Sequence, residues 1–145
     1  MRSCAIKGYG AMNTHQIKLI QNGFAGVFSR KGELTERFYH HLFLTLPEVE
    51  ELFHKDFAKQ KEMFATMLAS TVRGLVDGDS FQRFGESLAL SHARFNLTSR
   101  QLDGAASSLM AALRDVMGAK LSPEEDDAWN EAITRLTGMM APPEV

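Results

Sequence analysis

Apolar residues recur at helical spacing from Ile17 to Met140, and no stretch alternates with period two for long enough to make a convincing strand. That pattern confines the chain to an all-α fold. Ile17, Ile20, Phe24, Val27 and Phe28 form a first stripe, which Gly32 breaks. Asn13-Thr14-His15-Gln16 reads as its N-terminal cap. Leu34, Phe38, Leu42, Phe43 and Leu46 form a second stripe. Thr45-Leu46-Pro47-Glu48 then offers a helix start, with proline where its missing N–H does no harm, and a short helix is expected to end near Phe53. The longest stripe runs through Phe57, Phe64, Leu68, Val72 and Leu75, and Asp77-Gly78-Asp79 ends it as a turn. Asp79-Ser80-Phe81-Gln82 is expected to cap the next helix, with Phe81, Phe84, Leu88 and Phe95 on one side. Leu102, Ala106, Leu109, Leu113, Val116 and Met117 follow, closed by Gly118. Ser122-Pro123-Glu124-Glu125 combines an N-cap, a first-position proline and an acid at the third position. Trp129, Ile133, Leu136 and Met140 line that last helix, and Pro142-Pro143 stops it. The expectation is about seven helices of very unequal length.

The 145 residues suit one domain with a core that needs no staples. We expect a tail over residues 1–12, a domain over 13–141 and a short tail over 142–145, with Met12 an alternative start to Met1. The start carries no apolar stretch of secretory type, so a cytoplasmic protein is expected. Sixteen Lys+Arg against 18 Asp+Glu give a net charge of −2, which implies no basic face and no nucleic-acid partner. No apolar run reaches the ~18 residues of a membrane span. Cys4, the one cysteine, excludes a disulfide framework and a cysteine-rich zinc site. Ten phenylalanines suggest a thick core or a pocket for something flat and greasy.

A polar group on an apolar stripe needs an explanation. Gln60 falls three after Phe57 and four before Phe64; His92 falls four after Leu88 and three before Phe95; Tyr39 sits beside Phe38. Each alone reads as a core group satisfied by its neighbours. Together they suggest one cavity lined by phenylalanine. His15, His40, His41 and His54 are weaker candidates, and no two histidines have the i, i+4 spacing of a zinc helix. No nucleophile elbow, phosphate loop or carboxylate pair on an apolar face is present.

Phe38-Tyr39-His40-His41-Leu42-Phe43 followed by Leu46-Pro47-Glu48-Val49-Glu50-Glu51-Leu52-Phe53, the stretch from Phe57 to Leu75, His92-Ala93-Arg94-Phe95, and Asp127-Ala128-Trp129 stand in an order and spacing that resemble a globin. The resemblance is to bacterial single-domain globins and to the haem domain of flavohaemoglobins, over residues 13–141. It implies a globin fold around a haem b pocket. It makes His92 the iron ligand, its ring held by the Leu88 carbonyl and the Ser91 hydroxyl. Phe53 would wedge the haem, Leu88 and Leu97 would touch its proximal face, and Phe64 would crowd the ligand site. Tyr39 and Gln60 would be the distal pair that faces bound O2, CO or NO. A register shifted by one would put Lys59 and Met63 in place of Gln60 and Phe64, and the same two residues are candidates for an internal sixth ligand.

Two departures stand out. The family's proximal tyrosine position reads as Leu102, and Glu144 lies near the register of its proximal glutamate but behind Pro142-Pro143. The globin consumes the 145 residues, so NO detoxification would need a separate reductase. The expected function is reversible gas binding for oxygen handling, including transport, or for NO detoxification with that reductase. The alternatives are a gas sensor acting on a partner, or a haem-free interaction module of the same fold.

Overall fold

A computed structural model describes residues 12–53, 57–75 and 77–141. The expected tail ahead of Met12 with Cys4, His54, and the Pro142-Pro143 stop with Glu144 lie outside the described residues. Six α-helices make up most of the structure: α1 (Thr14–Ser29), α2 (Lys31–Thr45), α3 (Phe57–Gly74), α4 (Gly78–His92), α5 (Ser99–Met117) and α6 (Pro123–Met140). A 3-10 helix of seven residues spans Pro47–Phe53, and single 3-10 turns follow α4 and α5. Among the described residues there is no strand. Six α-helices and the long 3-10 helix are the seven unequal helices that the stripes predict. No described helix is long and apolar enough to cross a membrane.

Local chemistry sets the helix boundaries. The Asn13 side chain accepts from the Gln16 N–H at 2.8 Å and starts α1. Ser122 and Glu125 form the reciprocal capping box expected for α6, with Pro123 at its first position. Three expected boundaries move. The break between α1 and α2 falls at Arg30, and Gly32 lies inside the first turn of α2. The Arg30 guanidinium donates to the Val116 carbonyl and to Glu33, so a side chain, not a glycine, holds this corner. Thr45 does not start a helix; it ends α2, whose hydrogen bonding runs on through the Leu46 N–H to the Leu42 carbonyl at 2.7 Å. Asp77, not Asp79, caps α4: its extended backbone lets its carboxylate accept from the Asp79 N–H and the Ser80 hydroxyl, both at 3.0 Å.

The core runs along α2, which packs on α1, α3, α5 and the 3-10 helix, while α6 packs on α1, α4 and α5. Ile20, Val27, Leu34, Leu113 and Trp129 are fully buried. His41 Nε2 and Arg37 both reach the Asp115 carboxylate, at 2.7 and 3.8 Å, and tie α2 to α5. α4 differs from the other helices. Its one buried residue is Gly85, which meets Met139 of α6 so closely that a Cβ there would overlap the thioether. Phe81, Phe84, Leu88 and His92 along the same helix stay half-buried.

Gly104 lets α5 close on the end of α2: a Cβ there would fall 2.9 Å from Leu46 Cδ1. Two effects oppose each other in Gly104→Ala. Helix propensity favours alanine by about 1 kcal/mol, and overpacking costs about 1–3 kcal/mol. We expect a net loss of about 1 kcal/mol in urea unfolding. In a Leu46→Ala background the clash is gone, and the same substitution should stabilise by a few tenths to about 1 kcal/mol. A loss of equal size in both backgrounds would show that Leu46 is not what requires the glycine.

Candidate functional site

Tyr39 and Phe43 project from α2, Phe53 ends the 3-10 helix, and Phe57 and Phe64 project from α3, so three elements converge on one cluster of rings. The Tyr39 ring makes edge-on contacts with Phe38, Phe53, Phe57 and Phe64, with centroids 4.9, 5.2, 5.0 and 5.9 Å away. Phe43 lies 5.8 Å off. Phe38 and Phe64 stack face to face at 4.3 Å. Tyr39 is 6% exposed, and no residue described accepts from or donates to its hydroxyl. Burial pushes its phenol up to about 12. The group therefore remains a neutral O–H donor through the physiological range.

His92 is the last residue of α4. Its Nδ1 lies 2.8 Å from the Leu88 carbonyl oxygen and 3.2 Å from the Ser91 hydroxyl, and that hydroxyl donates to the same carbonyl at 3.0 Å. A carbonyl oxygen only accepts, so Nδ1 carries the proton. In the neutral ring this leaves the lone pair on Nε2, the form of imidazole that binds a metal. Phe95 flanks the ring edge-on at 6.2 Å. The structure thus brings Leu88, Ser91 and His92 together on one helix end. It brings Tyr39, Phe53 and Phe64 together elsewhere. α3, which carries Phe64, packs on both α2 and α4.

The remaining candidates sort by burial. Gln60 is half-buried on α3, between Phe57 and Phe64 on one face. Lys59 is exposed, and Met63 is 53% exposed against 8% for Phe64. Leu97 is half-buried just ahead of α5. Leu102 is 4% exposed and offers no donor or acceptor. Among the described residues no three His, Cys, Asp or Glu side chains gather as a metal cluster. Three residues acquire a place here that periodicity did not assign. Phe43 and Phe57 read as core but stand in the ring cluster, and with Phe53 and Pro47 they line an open hollow of about 440 Å³ edged by Glu50 and Glu51. Lys61 lies over the Phe57 ring, with its Nζ 4.7 Å from the centroid. The i, i+4 spacing of Phe57 and Lys61 was the available signal.

The globin family model matches residues 36–140. A flavohemoprotein of Bordetella pertussis is 24% identical over 133 residues, and one of Rhizobium meliloti 23% over 134. These matches cover 89% and 90% of this chain but 33% of each relative, so the chain spans about a third of the length of the curated relatives it matches. A flavohemoglobin of Malassezia yamatoensis, solved with bound FAD and heme, superposes with a TM-score of 0.74. That match is 18% identical and covers 90% of this chain and 36% of that one, a likeness of fold.

The Tyr39 hydroxyl yields a test with a definite sign. An unfolded tyrosine ionises near pH ~10, and the folded phenol is pushed up to about 12. The stability tied to the neutral phenol is therefore complete below about pH 10 and is lost as pH rises towards about 12. Wild type should lose stability relative to Tyr39→Phe across that window and hold a constant offset below it, measured by urea unfolding. At pH 7 the variant should be at least as stable as wild type, because an unpaired buried hydroxyl costs about 1–3 kcal/mol. A variant clearly weaker at pH 7 would mean that the hydroxyl has a partner.

Proposed function

Because the chain belongs to the globin family, we propose that it is a haem b protein that binds O2 reversibly, and CO and NO at the same position, with His92 as the iron ligand. The observation that carries this reading is the His92 tautomer. The Leu88 carbonyl accepts a hydrogen bond from Nδ1–H, which leaves Nε2 for a metal and fixes the plane of the ring. Haem, when bound, supplies the iron position to which a diatomic gas attaches.

The chain's own residues do the rest. Leu88, Leu97 and Phe53 offer apolar surface to a macrocycle. Ser91 holds the His92 ring from the side opposite Nε2. Tyr39 has a hydroxyl that is protonated, desolvated and without a partner among the described residues, which suits a donor to the partly negative end of a bound gas. Phe38, Phe43, Phe57 and Phe64 keep water from that donor, and a hydrogen bond in so dry a place is stronger than in water. Gln60, on the buried side of α3, is the second donor. The exposure of Lys59 and Met63 supports Gln60 over the shifted register and argues against either as a sixth ligand.

Oxygen handling is the use these residues support best. Two donors favour O2 over CO, which gains less from hydrogen bonds. Leu102 adds no polar partner on the proximal side, where a strong electron push would favour O–O chemistry. NO detoxification, the use suggested by the relation to flavohemoproteins, would draw electrons from a reductase.

The purified chain supplied with haem should show a Soret band that shifts on reduction and CO addition. His92→Gly should lose that band or regain it with free imidazole. Tyr39→Phe should speed O2 dissociation by about ten- to a hundredfold, as expected for losing a charge-assisted hydrogen bond of about 1.5–3 kcal/mol. An O2 dissociation rate unchanged in Tyr39→Phe would remove Tyr39 from the distal role. A folded, colourless protein that takes up no haem would overturn the reading as a whole.

A further inference from the structure

We propose that Lys61 is a positioning residue that straps α3 across Tyr39, and that this strap sets how fast a ligand reaches the buried hydroxyl. The inference rests on the haem-globin reading above. Lys61 Nζ lies 2.7 Å from Glu36 Oε2 and so joins α3 to α2. The same ammonium sits 4.7 Å from the centroid of Phe57, one turn earlier on α3. The Phe57 ring stands edge-on to Tyr39 at 5.0 Å. Glu36 precedes Tyr39 on α2 by three residues, close to one turn. The ion pair, the ring and the phenol thus make one continuous contact chain across the α2–α3 seam.

The placement makes this pair differ from an ordinary surface bridge. Exposed pairs hold little, because water screens them and two long side chains must be ordered. The Glu36 side chain is 66% exposed, but the lysine side chain is only 27% exposed, and its stem and ammonium cover an aromatic face. The cation is therefore held from two sides, by a carboxylate and by a ring. Gln60 is the neighbouring residue and Phe64 follows Lys61 by three, so whatever holds Lys61 also restrains the turn of α3 from which Phe64 meets the Tyr39 ring. A ligand reaches the hydroxyl when the rings from α3 part from those of α2. Lys61 and Glu36 resist that parting without touching the ligand.

Three consequences separate the strap from a purely structural pair. Lys61→Met and Glu36→Gln should each raise the CO association rate of the haem-loaded protein about two- to tenfold. The double variant should do no more than either alone. The charge-reversed pair, Lys61→Glu with Glu36→Lys, should return part of the slow entry, and the wild-type rate should rise with salt as the pair is screened. In the haem-free protein, amide hydrogen exchange over residues 58–64 should quicken in Lys61→Met and recover in the reversed pair.

The outcomes are distinguishable. Binding of CO at one rate in wild type and both single variants overturns the strap and leaves the haem reading standing. A rise in both single variants with no recovery in the reversed pair also overturns it, since an electrostatic tie should survive exchange of its ends. If haem-loaded material gives no CO spectrum, the functional reading falls, and the exchange measurement alone decides whether Lys61 holds α3.

Discussion

A phenol hydroxyl kept out of water, with no described residue to accept from it, is the constraint on which the rest of the candidate site depends. Leaving such a group unpaired costs about 1–3 kcal/mol, a sizeable share of the stability of any small domain. Tyr39 is retained in this position by its ring. Edge-on aromatic contacts are worth about 0.5–1.5 kcal/mol each beyond the area they bury, and the ring makes four of them. The ring offsets the hydroxyl. The arrangement needs α2, α3 and the 3-10 helix together, because the four partners come from all three elements. Loss of any one of them would let water in to the hydroxyl and dissolve the feature that makes it a donor.

The two halves of the proposed site are held by different kinds of force. Tyr39 is placed by long-range packing between elements, whereas His92 is placed by its own helix. The Leu88 carbonyl is four residues back and the Ser91 hydroxyl is one back, so the imidazole keeps its tautomer wherever α4 goes. That independence suits a helix that buries only Gly85 and leaves the apolar stripe of Phe81, Phe84 and Leu88 half-covered by protein. A group held locally tolerates movement of its element. A group held by five rings does not.

The legibility of the sequence follows the same division. Stripe periodicity gave seven helices, because amphipathic helices bury what their spacing displays. His92, Ser91 and Leu88 were legible for a similar reason: i, i+4 geometry is local and can be counted along the chain. Helix ends were less legible where two caps compete. Asp77 and Asp79 are both good N-caps, and only the backbone decides which one extends. The corner at Arg30 depends on a carbonyl 86 residues away in α5, which no local pattern reports. The ring cluster falls between these cases. Its phenylalanines were visible on stripes, but their convergence on Tyr39 depends on how α3 crosses α2. The tie from Lys61 to Glu36, 25 residues apart, was invisible for the same reason.

Burial also separates what keeps the chain folded from what equips the site. The fully buried side chains Ile20, Val27, Leu34, Leu113 and Trp129 lie on α1, α2, α5 and α6. Truncating one large buried residue of this kind costs about 2–5 kcal/mol. Gln60 and Lys61 on α3 and Leu88 and His92 on α4 are half-buried and Ser91 is exposed, and changes at these five remove little packing. Tyr39 is the exception, since it sits on α2 with Leu34 and Leu42 and belongs to both parts. Removing its hydroxyl alone keeps the ring and its contacts, which is why phenylalanine is the substitution that isolates chemistry from folding at this position. Alanine would remove both and could not tell them apart.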